Sequence, residues 1–377
     1  MLFPKSIASN LVFKKKLINR KIGYHKMLNK MLKYNSIDKC MFNREIEEAY
    51  KSKWKPLIKN PNLIFFKLYS SIHGKIDFNY IPDDYYEFPL NNYLQNTRYT
   101  FACEDKNSFE KRLPEFKHFF PQVFFRKIFG KYYDYNYNYI DNIDDFIRKL
   151  NTDKFVLKES IDTAGGKGVS FFNRIQNGQF VSKKGENVHN LVSQLSDFVA
   201  QERIEQNKEM KKLNESSLNS VRVVTYRSAY SNDVHVLRSL VRCGGEGSLV
   251  DNWHSGGSLF NIESDGKLAS FGYDSIFRRV DNPALGMNVP YLEEIYGIAK
   301  QIGKKELYHR QLAFDFCINS MDEVKLIEIN YSAAPWLQIV WGPAFNKFTD
   351  EVIETYSKAS GSVIISVPLS NQSKASK

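Results

Sequence analysis

Apolar residues change period several times along the chain. In residues 1–90 they recur at roughly helical spacing (Leu11, Phe13, Leu17, Ile18, Tyr24, Leu28, Leu32), which predicts helix, before the aromatic, loop-like run YIPDDYYEFPLNNYLQ. Near residue 99, RYTFACEDKNSFEKRLPEFKHFFPQVFF predicts a short strand, a helix from about Lys106 to Phe116, and a second strand. The Tyr-, Asn- and Asp-rich run at about 128–145 reads as a surface loop without a role, followed by a helix from about Asp141 to Leu150. Strand and turn patterns then alternate: FVLK (155–158), GVSFF (168–172), FVAQERIE (198–205), SVRVVTYRSAY (220–230) and DVHVLRSLVRCGG (233–245). After a helix from about Tyr291 to Ile302 come LAFDFCIN (312–319) and VKLIEIN (324–330), joined by a tight turn at Ser320–Glu323. A helix over about Asn346–Lys358 and a polar tail close the chain, and no internal repeat is visible. The pattern predicts α+β subdomains around antiparallel sheets, not a doubly wound parallel sheet. The expected divisions are 1–98, 99–150, 151–205, 206–360 and a tail at 361–377.

Composition adds bounds. With 377 residues, 42% apolar and 25% charged, the chain can bury a full core across two or three subdomains. No apolar run approaches the roughly 20 residues that span a bilayer, and lysines stand where a signal peptide would have its apolar centre. Cys40, Cys103, Cys243 and Cys317 lack metal-finger or CxxC spacing, so reduced structural thiols in a cytoplasmic protein are expected. The net charge of +11 is concentrated: Met1 to Ile37 holds nine Lys or Arg and no Asp or Glu. Three readings fit that stretch. It is an amphipathic helix packed on its own domain, a surface for anionic membrane or a lipid-linked acidic glycan, or a nucleic-acid contact. The last is disfavoured, because no nucleic-acid module follows.

The candidate chemistry lies at two places. Glu328 and Asn330 are two apart on one strand and so share a face; a hairpin would bring Asp315 beside them. Two carboxylates and an amide oxygen suit Mg²⁺ with phosphate completing the shell. The alternative is a solvent-facing polar stripe, with Phe314, Phe316, Ile327 and Ile329 forming the buried face unaided. Lys158 is either a phosphate-binding cation or a side chain snorkelling from an edge strand. The run Ala164–Val169, with Gly165, Gly166, Lys167 and Gly168, is not a P-loop, since no Ser or Thr follows Lys167 and a strand pattern comes next. Exposed backbone N–H groups between two strands can still fold over polyphosphate.

Taken in order along the chain, these features resemble the ATP-grasp superfamily. CEDK supplies Lys106, FVLK supplies Lys158, GGKG is the glycine-rich loop, QERIE resembles the hinge strand, and FDFCIN…LIEIN is the metal site. The resemblance covers about residues 99 to 357. SSLNSVRVVTYRS (216–228) and LVRCGGEGSLVDNWHSGG (240–257) are most similar to the sugar-transfer-associated ATP-grasp group of bacterial capsule and O-antigen clusters. This resemblance implies an ATP-grasp fold holding Mg-ATP between two α+β subdomains. It also implies an ATP-dependent ligase of cell-surface polysaccharide synthesis, joining a carboxylate to an amine. Lys106, Lys158 and Gly165 to Gly168 would bind the phosphates; Glu202, Arg203 and Ile204 would meet the adenine. Asp315, Glu328 and Asn330 would hold one or two Mg²⁺ ions, with Mn²⁺ as a substitute. Ala313 stands where D-alanine ligases carry an arginine, so Arg222, Arg242 or Arg238 must stabilise the tetrahedral intermediate. Asp251, Asn252, His254, Gly256 and Gly257 would border the acceptor site, with His254 either deprotonating an amine or structural. The substrate is a small molecule or glycan, for example a nucleotide- or lipid-linked sugar. Two rivals stay open: an ATP-grasp kinase acting on a hydroxyl, and a non-catalytic scaffold docking at membrane machinery.

Overall fold

The computed structural model describes residues 22–86, 90–161 and 168–361. Gly165, Gly166 and Lys167, the first part of the basic stretch, and the polar tail lie outside them. Among the described residues no helix is long and apolar enough to cross a membrane.

The N-terminal part is helical, as its periodicity predicts. Helix α1 (22–34) is followed by α2 (Arg44–Trp54) and α3 (Leu63–His73). Asn43 and Asn62 cap the last two by accepting from the Ile46 and Ile64 amides, and Gly74 ends α3 in the left-handed region at φ 62°. Each helix is stapled to the rest through its apolar face: Leu28, Met31, Tyr50, Trp54, Phe65 and Phe66 are buried in one core. Below this core, buried Asp83 accepts from Tyr69 Oη (2.7 Å) and from Gln338 Nε2 (3.1 Å). Gln338 also donates to the Ile81 carbonyl at 2.9 Å, so the N-terminal part is bonded to a distant segment of the chain.

Two antiparallel sheets follow, which agrees with the α+β expectation. The first contains β1 (Val123–Ile128), β2 (Lys131–Asp134), β3 (Lys154–Glu159), β4 (Val169–Arg174), β5 (Phe180–Ser182) and β6 (Phe198–Glu202), in the order β2-β1-β6-β3-β4-β5. The second contains β7 (Ser220–Arg227), β8 (Val234–Cys243), β9 (Ser258–Ile262), β10 (Leu268–Asp274), β11 (Arg279–Asp281), β12 (Gln311–Ile318) and β13 (Val324–Asn330). Its order is β11-β10-β9-β8-β7-β12-β13. One face of the second sheet packs Val221, Val223, Phe314 and Phe316 against helix Leu292–Lys305. Its other face meets the N-terminal core through residues such as Tyr226 and Leu240.

Three local expectations fail for identifiable reasons. Residues Thr97–Glu104 form a helix, not a strand. Helical spacing turns Thr100 toward His309 Nε2 (3.3 Å) and the Cys103 carbonyl toward Arg112 (2.5 Å), so tertiary contacts override the aromatic, β-prone composition. The helix expected over Lys106–Phe116 is cut to Phe109–Arg112, because Pro114 starts a separate 3₁₀ segment. The Tyr/Asn/Asp run is not all loop, since β2 pairs with β1. The tract turns where Asp134 accepts from the Asn136 and Asn138 amides, both at 2.8 Å.

The second sheet also contains a close backbone approach at Gly272, where an added Cβ would lie 2.1 Å from the Leu259 carbonyl oxygen. Gly272→Ala is therefore expected to lower unfolding stability by about 1–3 kcal/mol, measured as a shifted urea midpoint at unchanged slope.

Candidate functional site

The two sheets face each other across a cleft of about 940 Å³. The second sheet contributes a charged stripe, and strand register explains it. Asp315 lies directly opposite Arg222 on β7 and opposite Glu328 on β13, while Arg242 on β8 pairs with Ser220, one diagonal step away. Alternation along β12 sends Phe314 and Phe316 into the core and Ala313 and Asp315 to the other face. A bulge in the β12–β13 pairing leaves Ile327 without a partner, between Glu328 and the Leu326 that pairs with Phe316. Phe314, Phe316 and Ile329 are thus held by a helix-backed core, whereas Ile327, expected with them, joins the cleft lining; the metal candidates line a concave site, unlike a solvent-facing stripe.

Asp315 is buried and accepts four hydrogen bonds. Arg222 donates through Nε to Oδ1 (2.7 Å) and Nη2 to Oδ2 (2.6 Å), Arg242 Nη1 to Oδ2 (2.8 Å), and Asn330 Nδ2 to Oδ2 (3.3 Å). Burial raises its pKa, but the two guanidinium charges and these bonds outweigh that and hold the carboxyl below its usual range. Burial alone would lower the Arg222 pKa, yet the facing Asp315 raises it overall. Asp251 stands beside Arg242 Nε (3.5 Å) and accepts from Ser220 Oγ.

The first sheet contributes Lys158. Strand β3 lies between β6 and β4, so this lysine does not snorkel from an edge. Phe155 and Leu157 point into the sheet's core, while Val156 and Lys158 line the cleft. Burial lowers the ammonium's pKa, and Glu328 across the cleft opposes that. Lys106 approaches from a third direction, with Nζ 3.3 Å from Glu328 Oε1 and its amide donating to the Ser160 carbonyl at 3.0 Å. Lys106, Lys158, Arg222 and Arg242 are set against Asp251, Asp315 and Glu328. Lys154, Arg203 and Lys211 also line the cleft, as do Glu104, Glu202, Glu205 and Glu215, so its formal charges balance and the cations matter through their placement.

At the hinge, Glu202, Arg203 and Ile204 line the cleft near the apolar side chains of Val156, Val169 and Phe171. The Glu202 amide already donates to the Gln122 carbonyl (2.8 Å) and so cannot serve an adenine. Among the described residues the Ile204 backbone makes no hydrogen bond, which leaves it available. Gly168 adopts φ 71° at the start of β4.

The acceptor-side expectations divide. Asp251, Asn252 and His254 line the cleft. Both ends of the Asn252 amide are engaged within its own turn, accepting from the His254 amide (3.1 Å) and donating to Ser255 Oγ (2.8 Å). Gly256 and Gly257 shape this loop: Gly256 has φ 92°, and a Cβ on Gly257 would sit 2.3 Å from the Cys243 carbonyl oxygen. Partial burial, then Arg242 and Lys30, lower the His254 pKa and favour the neutral imidazole at pH 7. Arg238 is placed elsewhere. It lies four residues before Arg242 on β8, on the same face but about 13 Å farther along the strand, and borders a separate groove, its Nε reaching the Pro343 carbonyl (3.5 Å). It is therefore not among the cations of the cleft. The sequence reading missed Trp336, whose only signal was its place six residues after Asn330.

Glu328 and the Asn330 amide oxygen are hard donors on the cleft wall and fit Mg²⁺. Asp315 is shared with two guanidinium groups, so any metal there competes with them.

The profile of the family described as sugar-transfer associated ATP-grasp matches residues 90–353. No curated protein matches the chain. Solved structures that match include D-alanyl-alanine synthetase A from Vibrio cholerae, at 9% identity and TM-score 0.42, covering 70% of this chain and 66% of that one. A D-alanine–D-alanine ligase from Bacillus anthracis matches at 11% and 0.39, covering 69% and 70%. N5-carboxyaminoimidazole synthetase from Staphylococcus aureus, complexed with ADP, matches at 13% and 0.38, covering 66% and 51%. The chain thus spans about half the length of the carboxyaminoimidazole synthetase.

Asp315→Ala strands two largely buried guanidinium groups and is expected to cost about 3–5 kcal/mol of unfolding stability at neutral pH. Because the folded-state pKa of Asp315 is lowered, its stabilisation is present above the ordinary value of 3.8 and is lost as pH falls through the folded value. Urea titrations below about pH 4 should therefore show the wild type losing its advantage over the variant.

Proposed function

Because the chain belongs to the sugar-transfer-associated ATP-grasp family, we propose that it is an Mg-ATP-dependent carboxylate–amine ligase acting in cell-surface polysaccharide assembly. In this reading it joins an amine or amino acid to a sugar carboxylate. One observation carries it. Lys158 from the first sheet and Asp315, Glu328 and Asn330 from the second line one cleft, with Lys106 bridging to Glu328.

Lys106 and Lys158 would neutralise the phosphates of ATP. Val156, Val169 and Phe171 would contact the adenine faces, and the free Ile204 backbone its edge. Glu328 and Asn330, with Asp315 beside them, would hold Mg²⁺, which would supply positive charge against that developing during phosphoryl transfer. The substrate carboxylate oxygen attacks the γ-phosphorus and the bond to ADP breaks, giving an acyl phosphate. The amine nitrogen then attacks the acyl carbon, the carbon–oxygen bond to phosphate breaks, and the amine proton passes to neutral His254.

Arg222 and Arg242 would stabilise the tetrahedral oxyanion in place of the arginine that Ala313 lacks. This pair, fixed on Asp315 before any substrate arrives, favours acyl transfer over phosphorylation of a hydroxyl, which forms no such intermediate. Lys158, Asp315, Glu328 and Asn330 lining one cleft are more than a purely docking scaffold would require.

Lys158→Ala is expected to abolish ATP turnover while circular dichroism and thermal melting stay close to wild type; a folded variant with wild-type turnover would contradict the assignment. For the reaction class, release of ADP and phosphate only when carboxylate and amine are both supplied is expected, whereas a stable phosphorylated sugar would mark the kinase.

A further inference from the structure

Past the charged stripe, the cleft ends in an aromatic wall. Trp336 is half-buried and stacks on buried Trp253, with ring centroids 4.4 Å apart and planes inclined by 21°. Phe277 meets Trp253 at 5.0 Å and 63°, and Trp336 at 5.7 Å and 84°. Trp253 Nε1 donates to the Tyr273 carbonyl at 3.2 Å. The inner ring is thus fixed by packing and by a hydrogen bond, and it supports Trp336 as a rigid plate on the cleft wall. Leu240, Leu259 and Leu337 extend the apolar surface beside it.

Arg242 and Lys30 bring positive charge to this end, where Asp251 stands beside Arg242. Arg242 lines the cleft, and His254 lies close enough to Arg242 and Lys30 for both charges to act on its imidazole. Lys30 is exposed on α1, where Lys26 and Lys33 are also exposed. The helix is anchored here by Asn35, whose Nδ2 donates to the Phe277 carbonyl at 2.9 Å, and by Leu28 and Met31 in the core that holds Trp253 and Phe277.

An aromatic plate with few polar groups, and with Arg242 and Lys30 beside it, selects among substrates. A small amino acid has no flat apolar face to lay on indole. A pyranose presents its C–H bonds as such a face, and an anionic substituent on the ring answers the cations. We propose that this end of the cleft binds the carboxylate-bearing substrate as an anionic sugar, a hexuronate, with its ring on Trp336 and its carboxylate toward Arg242. The assignment rests on the ligase reading, whose nucleotide site lies at the other end of the same cleft.

The test is calorimetric titration of the full chain, in the presence of Mg-ADP, with the 1-phosphates of D-glucuronate and D-galacturonate and with L-glutamate as a non-sugar anion. At least one uronate should bind, and L-glutamate should not compete. Trp336→Ala should weaken uronate binding by about tenfold or more. Trp336→Leu fills the volume without a π face and should weaken it similarly, while Trp336→Phe should stay within about threefold of wild type. The rise should fall on the sugar constant, not on that for Mg-ADP. Uronate binding unaltered in the leucine variant, or a wild type that binds Mg-ADP but neither uronate, overturns the proposal. A wild type that fails to bind Mg-ADP overturns the nucleotide reading beneath it instead.

Discussion

The candidate site depends on one buried carboxylate. Asp315 ties β12 to Arg222 on β7, to Arg242 on β8 and to Asn330 on β13, so four adjacent strands converge on a single side chain. Desolvating three charges is costly, and the geometry recovers that cost only because every bond is made at once. Strand register supplies that simultaneity. Asp315 and Arg222 face each other across neighbouring backbones, so little side-chain freedom is lost in forming the pair. The result is a set of cations with fixed directions before any ligand is present, which is the condition for electrostatic catalysis in a low-dielectric cleft.

A second buried cluster stands behind the first. Arg112 donates to the Cys103 carbonyl and to Tyr331 Oη, and pairs with buried Glu306. Cys103 lies three residues before Lys106, and Tyr331 directly follows Asn330. One guanidinium therefore holds the turn carrying Lys106 against the strand carrying Glu328 and Asn330. Burial lowers the His309 pKa to about 4 and raises that of the Cys103 thiol, so both neighbours are neutral. Although Cys103, Glu306 and His309 place ligand atoms within 4.8 Å of one another, the Arg112 charge already satisfies Glu306. The cluster acts as a brace.

Much of this arrangement was legible in the sequence where period and spacing carry physical meaning. The two-residue step from Glu328 to Asn330, the short turn returning to Asp315, and the placement of Lys158 beside apolar neighbours each translate directly into side-chain direction. Strands β9 to β11 escaped the reading, since the glycines and polar residues of 255–281 mask their alternation. Arg238 was misplaced because it shares a strand face with Arg242 but lies four residues along β8, and sequence alone does not show how far along that face the cleft extends. Trp336 was missed because nothing local distinguishes an aromatic on a cleft wall from one in a core; only the stack on Trp253 separates the two.

The chain crosses between the sheets twice in a small space. It enters the first sheet at Pro121–Gln122 and leaves it at Arg203–Ile204, and these crossings lie side by side, joined by Glu202 and Gln122. From Glu205 onward the chain is fastened to the second sheet, through Glu205 to Ser320 (2.7 Å) and Asn207 to Ile318 (3.0 Å). Two parallel tethers define an axis, like the pin of a door. Were the first sheet to turn about it, points near the pin would travel little, whereas Lys158, farther along β3, would sweep a longer arc. Contacts made near Ile204 would then persist through such a turn, and Lys158 would register its extent.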